Sequence, residues 1–304
     1  MTGNTEPAAP SAMRYHIVHR TLYTYECPVT VSHHVARLGP RPLPHQKCPW
    51  HEIEIVPEPV ARVSRLDAYG NQAVYFELSG SHSRLEVMAR SYVEVSAPPK
   101  NGPAATPAWE QIVEMVRGDG AAGAAMAAEF RFASPLVGPD AIFAEYARPS
   151  FSPGRPVLEA AAELNHRIFT DFTFDPVATD VATLVTDAFT KRRGVCQDFA
   201  HILIGCLRSM GLAARYVSGY LETIPPPGQE RLVGADASHA WVSLFCGDDL
   251  GWIDLDPTND LLPGDRHITI AWGRDFLDVS PLRGVTWGAG EQWLQVEVDV
   301  SPAT

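Results

Sequence analysis

Gly194-Val-Cys-Gln-Asp-Phe-Ala-His201 is the stretch on which the reading of this chain turns. After Cys196, the apolar residues Phe199, Ile202, Leu203, Cys206, Leu207 and Met210 recur at the spacing of one α-helical face, and Gly211 supplies the stop. Upstream, Leu184, Val185, Ala188 and Phe189 predict a short helix with Lys191, Arg192 and Arg193 in its last turn, broken by Gly194. Cys196 is therefore expected at a helix N-terminus. Unpaired backbone N–H groups there favour thiolate over thiol and can serve a developing oxyanion.

Two further stretches bring matching chemistry. Ser238-His239-Ala240-Trp241 opens a strand pattern in which His239, Trp241, Ser243 and Phe245 share one face. In Gly251-Trp252-Ile253-Asp254-Leu255-Asp256-Pro257, alternation puts Trp252, Asp254 and Asp256 on one face. A thiol, an imidazole and a carboxylate thus stand at the ends of regular elements, where a scaffold holds reactive groups rigidly. The imidazole is the group able to take the thiol proton and return it to a leaving amine. By spacing alone, either acid can orient it. The plain alternative for each residue is structural: a packed thiol, a core histidine and solvated strand-end acids. Cys206 fits that alternative, while Cys27, Cys48 and Cys246 have no partner motif.

Gly194 to His201, Arg215-Tyr-Val-Ser-Gly-Tyr220, Ser238 to Trp241 and Asp256-Pro-Thr-Asn259 together resemble the core of the bacterial transglutaminase-like superfamily. The resemblance implies that Cys196 is the nucleophile, His239 the general base and acid, and Asp256, in preference to Asp254, the residue that orients the histidine. It also implies an α+β architecture: a papain-like core, with the Cys helix packed on an antiparallel sheet carrying His and Asp. The family contains peptidases, amidases and cross-linking transglutaminases, so the reaction stays open at this level.

The first third is organised differently. Partial alternation in 15–25, 50–56, 73–78 and 85–89, with a turn at 67–71, predicts a small antiparallel β-domain over 14–97. That extent resembles the N-terminal β-region accompanying the bacterial core. Residues 1–13 read as a flexible tail and not as a signal peptide. Pro98, Pro99, Gly102, Pro103 and Pro107 mark a linker, and 98–154 reads as linker and helical connector. Ala propensity favours a helix within 120–128. Val157, Ala161, Leu164 and Ile168 mark an amphipathic helix entering a catalytic core expected over 155–304.

Composition bounds the function. A formal charge of −12 disfavours nucleic acid, and no apolar run reaches membrane-spanning length. Five Cys without paired spacing argue against a disulfide framework, which points to the cytoplasm. The residues Cys196, His201 and Cys206 turn away from one another on a helix, and His33 and His34 point to opposite faces of a strand. With no zinc-type spacing and no phosphate loop, neither metal nor cofactor is expected. The leading expectation is an enzyme that attacks an amide of a peptide or protein substrate and hydrolyses it. Amine transfer and a non-catalytic peptide-binding module are the alternatives. Oligomeric state has no sequence signal.

Overall fold

The protein is described from a computed structural model covering residues 12–98, 105–118, 122–179, 183–223, 238–288 and 290–303. The tail 1–11, most of the proline-rich linker and the loop at Pro225–Gly228 lie outside the described residues. The architecture is α+β. Strands β1 (Met13–Ala36), β2 (Gln46–Val56), β3 (Ala61–Leu66) and β4 (Gln72–Val95) come first. Each of the partly alternating stretches falls within one of them. Helices α1 (Trp109–Arg117), α2 (Ala122–Ala127), α3 (Ala141–Ala147) and α4 (Val157–Asp171) follow. The four apolar residues that marked α4 are fully buried.

The second half runs through β5 (Thr173–Phe174), α5 (Val185–Lys191), β6 (Arg193–Gly194) and α6 (Cys196–Ser209). After these come β7 (Ala214–Leu221), β8 (Ser238–Phe245), β9 (Trp252–Leu255), β10 (His267–Gly273), α7 (Phe276–Val279), β11 (Leu282–Trp287) and β12 (Gln292–Pro302). A four-stranded antiparallel sheet in the order β10-β7-β8-β9 supports the Cys196 helix. That helix is not amphipathic in its setting, because every residue from Asp198 to Arg208 is buried. Its buried cation Arg208 is satisfied by the carbonyls of Phe130, Ala214 and Arg274 and by Ser134 Oγ. The helix before it ends at Arg192, in the left-handed region at φ 54°, and not at Gly194. The Arg192 guanidinium lies over the rings of Tyr146, Phe172 and Phe189, which holds it there.

The expected catalytic span of 155–304 does not keep to one sheet. Its last two strands return to the first sheet, where β11 pairs with residues 31–36 of β1 and β12 with residues 15–25. Strand pairing depends on partners far apart in sequence, so local alternation carried no sign of this closure. The apolar core is also continuous between the two halves. Tyr15, Ile17, Val93 and Val95 pack in one cluster with Ile202, Leu203 and Val242, and Val298 and Val300 belong to the same cluster.

Side-chain amides join the sheets. Strand β10 is an edge strand, and a bulge at Ile270 lets both Thr269 and Trp272 present N–H and C=O outward. The Gln46 amide closes on Thr269, donating to its O at 2.7 Å and accepting from its N at 2.8 Å. Asn71 does the same at Trp272, with both bonds at 2.9 Å. The Trp272 ring lies between the guanidinium groups of Arg41 and Arg215, at 3.5 and 3.6 Å. Asn71 is fully buried, so Asn71→Ala strands backbone groups of β10 and is expected to cost about 2–4 kcal/mol in urea denaturation. A loss below about 0.5 kcal/mol would contradict the clamp.

Candidate active site

The start of α6 is built by Asp198. Its buried carboxylate accepts the Val195 N–H at 2.8 Å and the Thr179 hydroxyl at 2.6 Å, which fixes the loop entering the helix. A Cβ on Gly194 would fall 2.5 Å from the same carboxylate, so glycine is required there. Cys196 follows at the first helical position, half-buried. Cys206 and Cys246 are buried, and burial pushes the Cys206 thiol far up and that of Cys246 to about 12.

His239 enters from β8 and is 9% exposed. Its Nε2 donates to Asp256 Oδ2 at 2.8 Å, and its side chain also hydrogen-bonds Cys196, for which Nδ1 is the remaining ring nitrogen. Burial works against an imidazolium here, but the hydrogen bonds and charges of Asp256 and Cys196 outweigh it. His239 is therefore held well above the ordinary histidine range. Thiol, imidazole and carboxylate are thus linked through the His239 ring, with the carboxylate behind.

Asp256 is fully buried and sits just past the end of β9. Besides His239, Oδ2 accepts Asn259 Nδ2 at 2.8 Å and His267 Nε2 at 3.1 Å. Oδ1 accepts the backbone N–H of Thr258 at 2.9 Å and of Asn259 at 3.2 Å. Burial pushes this carboxyl up, yet the donors from His239, His267 and Asn259 bring it far below the usual carboxylate range. Asp254 is engaged elsewhere, accepting Trp241 Nε1 at 2.9 Å.

All three residues picked from the sequence thus meet. Sequence reasoning missed His267, Asn259, and Asn165, whose amide holds the Asp256 carbonyl at 3.2 Å. A histidine opening the β-like run Ile268 to Trp272 was a local signal, but nothing in the sequence tied it to Asp256. The ligand atoms of His239, Asp256 and His267 lie within 4.8 Å of one another, a set with metal-binding chemistry. Their N-to-O separations are those of hydrogen bonds, and the amide donor of Asn259 occupies the same oxygen. Of the earlier metal candidates, His201 Nε2 accepts the Phe276 N–H while His34 stacks on Phe76.

Two predictions follow from this geometry. Asp256→Ala is expected to lower turnover of an amide substrate ~1000-fold or more, against less than about tenfold for Asp254→Ala, and the reverse order would move the orienting role. The second concerns stability against pH. The depressed Asp256 contributes stability above its unfolded value, lost as pH falls, and the raised His239 contributes below its unfolded value, lost as pH rises. The stability gap between wild type and Asp256→Asn should therefore be widest between about pH 4 and about pH 6.5. A gap unchanged from pH 3 to pH 10 would contradict the pairing.

Comparison with known proteins identifies the family. Residues 15–94 match the bacterial transglutaminase-like N-terminal region, and 144–257, which contain all three residues, match the transglutaminase-like superfamily. An uncharacterized protein of Mycobacterium tuberculosis is 44% identical over 298 residues, covering 95% of this chain and 93% of its own. A protein-glutamine gamma-glutamyltransferase of Pseudomonas aeruginosa is 31% identical over 133 residues, 40% of this chain and 20% of its own. Among solved structures, a candidate cysteine protease from Cytophaga hutchinsonii superposes with a TM-score of 0.73 at 19% identity, covering 96% of this chain and 91% of its own, which is a likeness of fold. With both halves matched and a relative similar over almost its whole length, the chain belongs to the transglutaminase-like superfamily and carries the bacterial N-terminal region.

Proposed function

We propose that this protein is a cysteine-dependent acyl-transfer enzyme that attacks a peptide or carboxamide carbonyl and hydrolyses it. The observation that carries the reading is the His239 ring, hydrogen-bonded to Cys196 and, at 2.8 Å, to a fully buried carboxylate. Cys196 Sγ adds to the carbonyl carbon, and His239 gives its proton to the departing amine as the C–N bond breaks. A thioester remains. Water then adds while His239 takes its proton, the acid leaves, and the thiol–imidazole pair is restored. The substrate is a peptide or protein, and the net charge of −12 supports neither nucleic acid nor an anionic membrane as partner. The five cysteines, all free, support a reducing compartment such as the cytoplasm.

Water is favoured as acceptor by its concentration at a thioester open to solvent. Amine transfer is the second reading, supported by the partial similarity to the Pseudomonas aeruginosa gamma-glutamyltransferase. Incubation with a glutamine-containing peptide library, with and without a primary amine, separates the two by product mass. Free acid is expected to dominate, and it should vanish in Cys196→Ala. Dominant amine adducts would establish transfer instead. No product of either kind, with Cys196 inert to alkylation, would leave a peptide-binding module.

A further inference from the structure

The second imidazole on Asp256 has no part in the three-residue scheme. His267 opens β10 and is 5% exposed, with its Nε2 at 3.1 Å from the oxygen that also receives His239. The two histidines come from strands that flank β7 on either side, and their rings meet with centroids 6.0 Å apart. Gly219 makes this possible. It lies directly opposite His239 in the sheet, and a Cβ there would stand 2.5 Å from the Trp241 ring and press on the Ile268 carbonyl. Trp241 in turn packs edge-on against His267, with centroids 5.2 Å apart at 86°. Among the described residues, the other ring nitrogen of His267, Nδ1, is buried without a hydrogen-bond partner. A proton there would be unsatisfied, while a proton on Nε2 meets the carboxylate.

We propose that His267 is a positioning residue, carrying its proton on Nε2 and donating it to Asp256 Oδ2, and that it thereby limits how strongly the carboxylate holds the proton of His239. The inference rests on the thiol–imidazole reading of the site. A carboxylate bonded only to His239 would be the stronger acceptor, and the imidazolium would release its proton to a leaving amine less readily. With a second imidazole and Asn259 on the same oxygen, the negative charge is shared among three donors. Among the described residues, the titratable groups on this face are Cys196 from α6, His239 from β8, Asp254 from β9, Asp256 beyond it and His267 from β10, with Tyr216 of β7 beside Cys196. Arg215 of β7, and His45 and Arg41 from the first half, lie toward Asp254.

The test is the pH dependence of iodoacetamide alkylation at Cys196, followed by peptide mass mapping in the full-length protein. Thiolate reactivity steps up where His239 loses its proton, whichever acceptor the enzyme uses. His267→Met removes the N–H and is expected to move that step up by about one pH unit, a tenfold change in proton affinity. His267→Gln keeps an N–H at the position of Nε2 and should leave the step within about 0.3 units of wild type. An unmoved step in folded His267→Met, or equal shifts in both variants, would overturn the proposal. The ¹⁵N spectrum of the wild-type imidazoles gives a check that needs no variant to fold: His267 should show a protonated Nε2 and a bare Nδ1, and the opposite tautomer would overturn it. A wild-type profile without any step would instead remove the thiol–imidazole pair, and the proposed function with it.

Discussion

A carboxylate taken out of water costs several kcal/mol unless its lone pairs are met, and Asp256, with no exposed surface, meets them with five donors. Two are backbone N–H groups of the turn after Pro257, which fix where the carboxylate points. Three are side chains from β8, from β10 and from the turn itself. The site depends on this convergence, because an imidazole is useful as a proton carrier only when one nitrogen is anchored and the other faces the thiol. His239 is so anchored, and the energy of its bond to Asp256 maintains the charged form against burial.

The surrounding architecture can be read as support for that arrangement. Gly219 clears the middle of the sheet so that the two histidines and Trp241 can close over it. On the open edge of the same sheet, the amides of Gln46 and Asn71 imitate a neighbouring strand and keep β10, with His267 at its start, in register. The first half of the chain therefore acts on the site through the sheet. His19 Nδ1 against the Tyr220 hydroxyl at 2.9 Å and Tyr15 donating to Glu222 at 3.0 Å continue that contact along β7. A lesion in the β-rich half is accordingly expected to reach the site by loosening β7 and β10.

What was legible in the sequence was local. The helix starting at Cys196 and the strand starting at His239 announced themselves through apolar spacing and flanking glycine. The turn at 67–71 did so through its residue types. Alternation placed Asp254 and Asp256 on one face and could not rank them, since ranking requires the register with β8. Asp254 stands opposite Ser243 and within reach of Trp241, whereas Asp256 lies beyond the last pair and reaches His239. The features of the fold that could not be read join residues more than 200 positions apart, namely β12 on β1, Gln46 on Thr269 and Asn71 on Trp272, while the partners of Asp256 missed in the sequence converge only once the strands are in place. Nor could an apolar stripe on α6 show that its remaining faces are buried too, since Arg208 and His201 look like solvated residues until their partners are known.

The site works in this way only if the His239 imidazole is held charged by Asp256 and Cys196 together. The direct measurement is an NMR titration of His239 in the wild-type protein and in Cys196→Ala. Both variants should keep the bond to Asp256, so His239 should titrate above the ordinary value of about 6.5 in each, and distinctly higher in the wild type, where the thiolate adds its charge. Identical titrations would mean that Cys196 and His239 do not form a pair, and a wild-type value at or below the ordinary one would mean that Asp256 does not hold the imidazolium.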